Sequence, residues 1–236
     1  MARSSVWSAI EAELTAEIGG GVYGPGMKLP TEAQLAQRFA VNRHTVRRAL
    51  ASLSEAGMVT ARQGAGVFVT TVPTEYPLGR RVRFHQNVLA SGRTPSRRIL
   101  RMETRPASVP EAEGLGVDPG SLVHLVEGVS LADDLPVGLF RSVVPAARFP
   151  GFPEAMQRLG SITAALVEQG VADYTRASTR LTAKLADAVQ AGQLQVPQGA
   201  PLLRSITVNQ DVGGVPVEYG VTHFVGDRVT LTVIPE

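Results

Sequence analysis

The residues with the clearest chemical capability in this 236-residue sequence are arginines. Arg43 and Arg47 are four residues apart, so on an α-helix their side chains would lie one turn apart on the same side. A guanidinium can donate two hydrogen bonds to guanine or pair with a phosphate, and His44 and Thr45 can add shorter polar contacts. These residue types at this spacing predict contact with the major groove of double-stranded DNA, provided that the segment is an exposed helix.

A second set of arginines is concentrated between residues 80 and 105, where eight of them stand against a single acidic residue, Glu103. They are Arg80, Arg81, Arg83, Arg93, Arg97, Arg98, Arg101 and Arg105. The formal net charge of the whole chain is only +2, so this excess is local. A general preference for arginine would explain any single one, because Lys28 and Lys184 are the only lysines. It does not explain the clustering.

Two helices are predicted before the Arg43–Arg47 segment. Ser4 or Ser5 can cap the first, whose apolar residues recur at near-helical spacing and which ends at three glycines, residues 19–21. The second opens at Thr31, whose spacing to Gln34 is that of a capping box. Both helices therefore have local start or stop signals.

The Arg43–Arg47 segment is predicted to be the third helix, capped by Asn42 and ended by Gly57. Its apolar residues share one face, and they are Val46, Ala49, Leu50 and Leu53. Two short strands, residues 58–62 and 67–69, follow around Gly64 and Gly66. Two helices joined by a turn of a few residues, followed by a β-hairpin, predict a winged helix-turn-helix.

Three stretches make this prediction more specific: Pro-Gly-Met-Lys-Leu-Pro-Thr-Glu at residues 25–32, the run from Leu35 to Leu50, and Gly-Ala-Gly-Val-Phe-Val at residues 64–69. Together they resemble the winged-helix domain of GntR-type bacterial transcription regulators, over residues 4–70. Many family members have serine where this chain has Asn42, and asparagine is an equally good cap. The DNA-contacting residues that the pattern and the resemblance imply are Thr31, Glu32, Asn42, Arg43, His44, Thr45, Arg47, Arg48, Arg62, Gly64 and Gly66.

The boundary of this domain is predicted from a stretch without apolar periodicity. Residues 70–77 contain two prolines, Pro73 and Pro77, and no pattern typical of a helix or a strand. We therefore expect a DNA-binding domain over residues 1–70, a linker over residues 71–79 and a second domain over residues 80–236.

The second domain contains an internal sequence repeat. Two stretches that begin at Leu115 and Leu194 each lead into a predicted strand, a tight turn and a returning strand, with the turns at residues 133–134 and 213–214. A last hairpin is predicted to turn at Gly226–Asp227. Helices are predicted from about 161 to 169 and from about 182 to 191. The fold class is α+β, with one antiparallel sheet in this domain.

Four segments of this domain, residues 75–87, 160–166, 173–183 and 216–220, resemble the UTRA effector domain of the HutC-like branch of the GntR family, which is related in fold to chorismate lyase. Together with Asn42-Arg43-His44 they look like the phosphonate-metabolism regulators of that branch. The resemblance implies a homodimeric, cytoplasmic repressor that binds operator DNA and a small anionic effector and needs no cofactor or metal.

An anionic effector needs positive charge and hydrogen-bond donors, because an anion taken out of water is costly unless its oxygens are satisfied. Ser161 and Thr163 stand at the start of a predicted helix, where free backbone N–H groups favour an anion. Arg176 and Arg180 are four residues apart, although both could equally be surface or salt-bridged side chains. The candidate effector residues are Arg81, Arg83, His85, Ser161, Thr163, Tyr174, Arg176, Arg180, Glu218 and Tyr219. Arg81, Arg83 and His85 alternate, so on a strand they would share a face.

Other function classes find less support in the sequence. No run of about 18 apolar residues predicts a membrane-spanning helix, and the N-terminus lacks the pattern of a signal peptide. There are no cysteines, which excludes disulfides, thiol nucleophiles and cysteine-ligated metals. The four histidines lack metal-ligand spacing, and no catalytic serine motif or phosphate loop stands out, so an enzyme is not expected despite the lyase-like fold. A sensor of another metabolite, such as a sugar phosphate, is the remaining alternative.

Overall fold

The computed structural model describes residues 5–62, 64, 66–70, 73–79, 81 and 84–233, and of Arg62 the backbone alone. The chain divides into two compact units, Met1–Val72 and Pro73–Glu236. Both mix helices with β-strands, and the second is built on an antiparallel sheet, so the α+β class is confirmed. No helix among the described residues is long and apolar enough to cross a membrane.

The first unit is a three-helix domain with a β-hairpin. Its elements are α1 Val6–Gly19, α2 Glu32–Arg38, α3 Arg43–Glu55, β1 Val59–Arg62 and β2 Gly66–Val69. Two of the three predicted caps form side-chain hydrogen bonds: Thr31 and Gln34 form a capping box at α2, and the Asn42 side chain accepts a hydrogen bond from the backbone N–H of Thr45 at 2.8 Å. Ser5 occupies the N-cap position of α1, but its side chain makes no capping hydrogen bond among the described residues. Strands β1 and β2 pair antiparallel as the predicted wing.

The hydrophobic core of this unit fixes the orientation of α3. Val46, Ala49, Leu50 and Leu53 are buried on one face of α3, where they pack in one cluster with Ile10 and Leu14 of α1 and Leu35 of α2. Between α2 and α3 the chain turns at Ala40, whose φ of 52° is in the left-handed region. Because the apolar face of α3 points inward, its polar face points to solvent.

The second unit is built on a six-stranded antiparallel sheet with the order β4-β5-β6-β9-β8-β7. Its strands are β4 Pro95–Pro106, β5 Leu122–Ala132, β6 Leu135–Pro145, β7 Tyr174–Leu185, β8 Pro201–Asp211 and β9 Pro216–Val225. Its helices are α4 Phe84–Ala90, α5 Val109–Leu115, α6 Phe152–Leu159, α7 Ile162–Glu168 and α8 Ala188–Leu194. The predicted helix over 161–169 corresponds to α7, and Ser161, at its start, caps it by accepting a hydrogen bond from the backbone N–H of Ala164.

The internal sequence repeat corresponds to a repeat in the structure. The succession strand, helix, strand, turn, strand occurs twice, as β4-α5-β5-β6 and as β7-α8-β8-β9. Strands β6 and β9 pair in the middle of the sheet, so the two halves are arranged symmetrically about that pair. At the first predicted turn, Asp133 and Asp134 have φ values of 48° and 62°, as a two-residue hairpin loop of type I′ requires.

The predicted linker and the predicted last hairpin differ from the structure for one shared reason. Residues 74–77 form strand β3, Thr74–Pro77, which pairs in parallel with β10, Val229–Thr232. Strand β10 therefore follows the turn at residues 226–227 without returning along β9. The backbone N–H of Thr74 donates to the carbonyl of Arg228 at 2.8 Å, and the Tyr76 side chain is buried. A partner more than 150 residues away along the chain is invisible to local pattern reading.

Two further local predictions were wrong. The helix expected over 182–191 begins only at Ala188, because Asp187 caps it and the preceding residues pair with β8 as far as Leu185. The shared face considered for Arg81, Arg83 and His85 required a strand, but His85 lies in the first turn of α4, and Arg83 is outside the described part of the chain.

Candidate DNA interface and ligand cavity

The N-terminal half of α3 presents residues that are predicted to contact DNA. Arg43, His44, Arg47 and Arg48 are exposed, and Thr45 is half-buried. All five lie on the side of α3 away from its buried apolar face or at its border. The condition set by the sequence analysis, an exposed arginine-bearing helix, is met in this unit.

Two of these arginines are held by neighbouring elements. The Arg47 guanidinium donates from Nη2 to Glu32 Oε2 at 2.8 Å and from Nε to Glu32 Oε1 at 3.1 Å. This pairing holds the pKa of the Glu32 carboxyl below its usual value, first through the hydrogen bonds and then through the charge. Arg48 lies over the ring of Trp7 on α1, 4.7 Å from the ring centroid. Arg47 and Arg48 are therefore oriented before any DNA is bound.

The remaining selected residues lie at the start of α2 and on the wing. Thr31 and Glu32 begin α2, with Thr31 exposed and Glu32 half-buried. Gly64 has a φ of 72° at the tip of the hairpin, and the side chain of Arg62 lies outside the described residues. At Gly66, with φ 111°, an added Cβ would lie 2.7 Å from Cε of Lys28. Lys28 is an exposed cation beside the wing that the sequence analysis missed.

The second unit contains a cavity on the face of the sheet that α6 and α7 cover, with a volume of about 90 Å³. We call it the arginine cavity, because Arg97 of β4 and Arg176 of β7 both line it. These strands are the two edges of the sheet, which would be about 24 Å apart if six strands were flat. The sheet therefore curls so that both edges contribute to one site. Polar residues around it include Tyr76, Ser130, Ser142, Thr163, Tyr174, Ser205, Thr207, Asn209 and Glu218.

Arg176 presents unused hydrogen-bond donors in this cavity. Its Nε and Nη1 atoms are buried, and neither has a hydrogen-bond partner among the described residues. The guanidinium is near the buried hydroxyl of Tyr76, whose pKa is raised because burial outweighs the effect of the nearby cations Arg176 and Arg97. A buried donor without a partner costs about 1–3 kcal/mol. Arg176 can therefore gain hydrogen bonds from a ligand that brings acceptor oxygens.

Arg97 is fixed by two aromatic rings. Its guanidinium carbon lies 5.4 Å from the ring centroid of Phe84 and 4.8 Å from that of Phe140. Burial lowers the pKa of this guanidinium, and the charge of Glu218 partly offsets that effect. Arginine stays protonated in proteins, so Arg97 is a fixed positive charge in the wall.

Glu218 is the acidic residue of the cavity, and its side chain is buried. Ser142 Oγ donates to one carboxylate oxygen, and Asn209 Nδ2 donates to the other at 2.8 Å. These two neutral donors hold the carboxylate in place on strand β9. The cavity thus contains both signs of charge.

Four of the effector candidates line the arginine cavity: Thr163, Tyr174, Arg176 and Glu218. Thr163 Oγ1 and the Tyr174 hydroxyl are hydrogen bonded at 2.7 Å. Ser161 and His85 line a neighbouring cavity of about 450 Å³, which we call the Ser161 cavity. Phe84, Arg97 and Thr163 belong to the walls of both cavities.

Three other candidates are placed elsewhere. Arg81 is exposed and forms an ion pair with Asp173 at 2.6 Å. Tyr219 is on the opposite face of the sheet, where it packs in a cluster with Leu115 of α5. Arg180 is also on that opposite face, because a β-bulge at Ala177 inserts one extra residue between Arg176 and Arg180. The last effector candidate, Arg83, lies outside the described residues.

The sequence did not predict several residues of the arginine cavity, above all Arg97, Tyr76 and Asn209. One signal was available for β8, where Ser205, Thr207 and Asn209 alternate with Ile206 and Val208. Polar residues on one face of a strand, with apolar residues on the other, indicate that the polar face has a partner other than the hydrophobic core. Arg97 was part of the arginine cluster, but nothing in the spacing separated it from its neighbours.

Comparison with known families agrees with this architecture. Residues 7–69 match the model of the bacterial regulatory proteins of the gntR family, and residues 90–230 match the UTRA domain. The chain belongs to the GntR family. As a GntR-type protein with a UTRA domain it is a transcriptional regulator rather than an enzyme, and the HutC-like branch fits.

Three relatives of this GntR regulator illustrate the similarity. An uncharacterised HTH-type transcriptional regulator of Rhizobium meliloti (strain 1021) is 38% identical over 97% of this chain and 94% of its own length. The "Probable transcriptional regulator PhnF" of Escherichia coli (strain K12) is 38% identical over 89% of this chain and 88% of its own length. The crystal structure of PhnF from Mycobacterium smegmatis matches with a TM-score of 0.67 and 30% identity, covering 96% of this chain and 98% of that one.

Proposed function

We propose that this GntR regulator represses genes for phosphonate use and leaves its operator when a small phosphonate or phosphate-like anion binds in the arginine cavity. The observation that carries the proposal is that Arg176 lines one cavity together with Arg97, while two buried donor atoms of Arg176 have no hydrogen-bond partner among the described residues. Donors of fixed positive charge are what a phosphonate needs when it leaves water.

The DNA contacts in this proposal come from α3 and the wing. Arg43 and Arg47 approach the base edges or phosphates of the major groove, while His44 and Thr45 add shorter contacts. The glycines 64 and 66 at the wing lack side chains, so their backbone can come close to a phosphate, and the neighbouring Lys28 adds charge there. Thr31, Glu32, Asn42 and Arg48 position these groups rather than read bases.

The regulator acts as a homodimer in this proposal, because a two-fold axis allows two α3 helices to read two half-sites of a near-palindromic operator. The effector can change DNA affinity only if it binds two arrangements of the protein with different affinity, and couplings of this kind are typically about 1–3 kcal/mol. Strand β3, which carries Tyr76 into the arginine cavity, begins five residues after β2 ends at Val69, so the ligand site and the wing are close together along the chain.

The volume of the arginine cavity favours a small ligand. About 90 Å³ is far below the roughly 300–1,000 Å³ that drug-sized ligands occupy. A sugar phosphate would have to extend past Phe84 and Arg97 into the larger Ser161 cavity. A phosphonate with a short tail fits without that extension.

The proposal is tested by gel retardation of the DNA directly upstream of the regulator's own gene, with purified full-length protein. We expect retardation that weakens steeply as salt rises, since phosphate contacts release counterions. Short alkylphosphonates or inorganic phosphate should release the DNA, whereas a sugar without a phosphate should not. Absence of retardation would refute the operator assignment. Release by sugar phosphates alone would refute the proposed effector class.

A further inference from the structure

The arginine cavity contains a buried carboxylate, which a site for a simple anion does not need. Glu218 is 8% exposed and lines the same cavity as Arg97 and Arg176. A carboxylate beside a bound phosphonate repels it, so its presence weakens a site built for phosphate or an alkylphosphonate alone. Its position therefore indicates a second feature of the ligand.

Glu218 can accept further hydrogen bonds besides the two that it makes within the protein. Its two partners, Ser142 and Asn209, are neutral donors, so no direct ion pair cancels the carboxylate charge in the described part of the chain. An ionised carboxylate offers about four lone-pair positions, and these partners use two. Asn209 and Ser142 fix the carboxylate on the cavity wall and leave lone pairs for a donor from the ligand.

The positive and negative side chains around the cavity are arranged as a zwitterionic ligand would require. Arg97 and Arg176 are on the two edge strands β4 and β7, whereas Glu218 is on β9, a strand of the interior of the sheet. The positive groups and the negative group therefore come from different parts of the wall. A ligand that carries an anionic end and a cationic end can meet both, with each end near the opposite charge.

We propose that the effector is an aminoalkylphosphonate, a zwitterion whose phosphonate oxygens accept hydrogen bonds from Arg176 and Arg97 and whose ammonium group donates to Glu218. This rests on the proposed function and names the ligand class for the same cavity. The small volume limits the alkyl chain to one or two carbons. Inorganic phosphate and simple alkylphosphonates then still bind, but more weakly than the amino compounds, because they bring no cationic group to the carboxylate of Glu218.

The test compares two ligands of nearly equal shape on the full-length protein by isothermal titration calorimetry. 2-Aminoethylphosphonate carries an ammonium where propylphosphonate carries a methyl group. We expect the amino compound to bind at least roughly tenfold tighter, because hydrogen bonds between charged groups are the strong class. Equal affinity, or tighter binding of propylphosphonate, would overturn the proposal. This comparison uses the unmodified chain, so it does not depend on the folding of any variant.

The substitution Glu218→Gln then tests the named residue. Glutamine keeps the shape: its carbonyl oxygen can accept from Asn209 Nδ2, while its amide NH2 can donate to the hydroxyl oxygen of Ser142. Because the negative charge is removed, the ratio of the two affinities should fall to about one, with propylphosphonate binding retained or improved. The matched control Glu113→Gln changes an exposed glutamate of α5 and should keep the wild-type ratio. A wild-type ratio in Glu218→Gln would overturn the role of Glu218.

The same titrations separate this inference from the proposed function. If both phosphonates bind with equal affinity and release the operator, the proposal of a phosphonate effector is supported, and the proposal that the effector is an aminoalkylphosphonate is refuted. If neither binds while the protein still retards its operator, the phosphonate effector itself is wrong, and the zwitterion proposal fails with it.

Discussion

Arg97 and Arg176 occupy equivalent positions in the two halves of the sheet. Arg97 on β4 lies opposite Ser130 of β5, and Arg176 on β7 lies opposite Asn209 of β8. A β-bulge follows each of them, at Leu100 and at Ala177. Each half of the structural repeat thus contributes one guanidinium and one neutral polar partner to the arginine cavity. The cavity is a product of both halves, and neither half contains it alone.

The first prediction concerns Arg47 as a DNA contact. Arg47→Ala should weaken operator binding by roughly 5- to 150-fold if the guanidinium reads a base, the range expected for loss of such a contact. Arg158→Ala is a matched control, because Arg158 is also an exposed arginine paired with a glutamate, Glu168, but lies on α6 of the other unit. Fluorescence anisotropy with labelled operator measures both. Unchanged affinity for Arg47→Ala would remove this residue from DNA recognition.

The second prediction concerns the cap of α3. Asn42 accepts a hydrogen bond from the backbone N–H of Thr45 at 2.8 Å, so Asn42→Ala should destabilise the first unit by about 1 kcal/mol. Asn42→Ser supplies another side-chain oxygen and should stay within a few tenths of a kcal/mol of the parent. Urea denaturation followed by circular dichroism compares the two. Equal losses for alanine and serine would show that the cap contributes nothing.

The third prediction uses two glycines in helices of similar length. At Gly114 of α5 an added Cβ would lie 2.4 Å from Cδ2 of Tyr219, a buried ring, whereas at Gly192 of α8 it would meet nothing within 4 Å. Gly114→Ala should cost about 1–3 kcal/mol through overpacking, more than alanine gains as a helix former. Gly192→Ala should stabilise by about 0.5–1 kcal/mol. Thermal unfolding should therefore shift in opposite directions, and shifts of the same sign would contradict the packing of α5.

The winged helix could be predicted from the sequence because its signals are local. The capping box joins Thr31 to Gln34, and the cap of α3 joins Asn42 to Thr45, each within three residues. The hairpin turn at Asp133–Asp134 is likewise decided by its own two residues. Interactions of this range leave a readable pattern.

The arginine cavity could be predicted only in part, because its geometry depends on partners far away in the sequence. Strand β3 needs β10 as its partner, and no local pattern reveals that pairing. The bulge at Ala177 reverses the side-chain alternation along β7, so of the two arginines predicted to bind the effector only Arg176 lines the cavity, and Arg180 lies on the other face. A single inserted residue decides which of the two arginines lines the arginine cavity.

The fourth prediction concerns pH and the buried carboxylate of Glu111. Arg105 donates to both its oxygens, and this lowers the pKa of Glu111 to about 2 from 4.5. A carboxyl whose pKa is lower in the folded than in the unfolded state stabilises the fold when it is ionised. This contribution is therefore present above about pH 4.5, the unfolded pKa, and is lost as the pH falls towards 2. Glu111→Gln should cost about 1–3 kcal/mol at neutral pH and progressively less in acid.

The measurement for Glu111 is urea denaturation at several values between pH 7 and pH 2.5, with Glu113→Gln on the exposed side of α5 as the control. The difference in free energy of unfolding between wild type and Glu111→Gln should shrink as the pH falls below about 4.5. A difference that stays constant over this range would show that the Arg105–Glu111 pair does not depress the pKa as described.

The last prediction separates the two arginines of β7. Arg176 lines the cavity, and its Nε and Nη1 atoms have no hydrogen-bond partner in the described part of the chain, whereas Arg180 is exposed on the opposite face, opposite Ile206 in the register. Arg176→Met removes the donors and keeps the length of the side chain, so it should abolish release of the operator by phosphonates without weakening DNA binding in their absence. Arg180→Met should leave release unchanged. If the two variants behaved alike, or if only Arg180→Met lost the response, the bulge at Ala177 would not place the ligand site on the Arg176 face, and the cavity assigned here would be the wrong one.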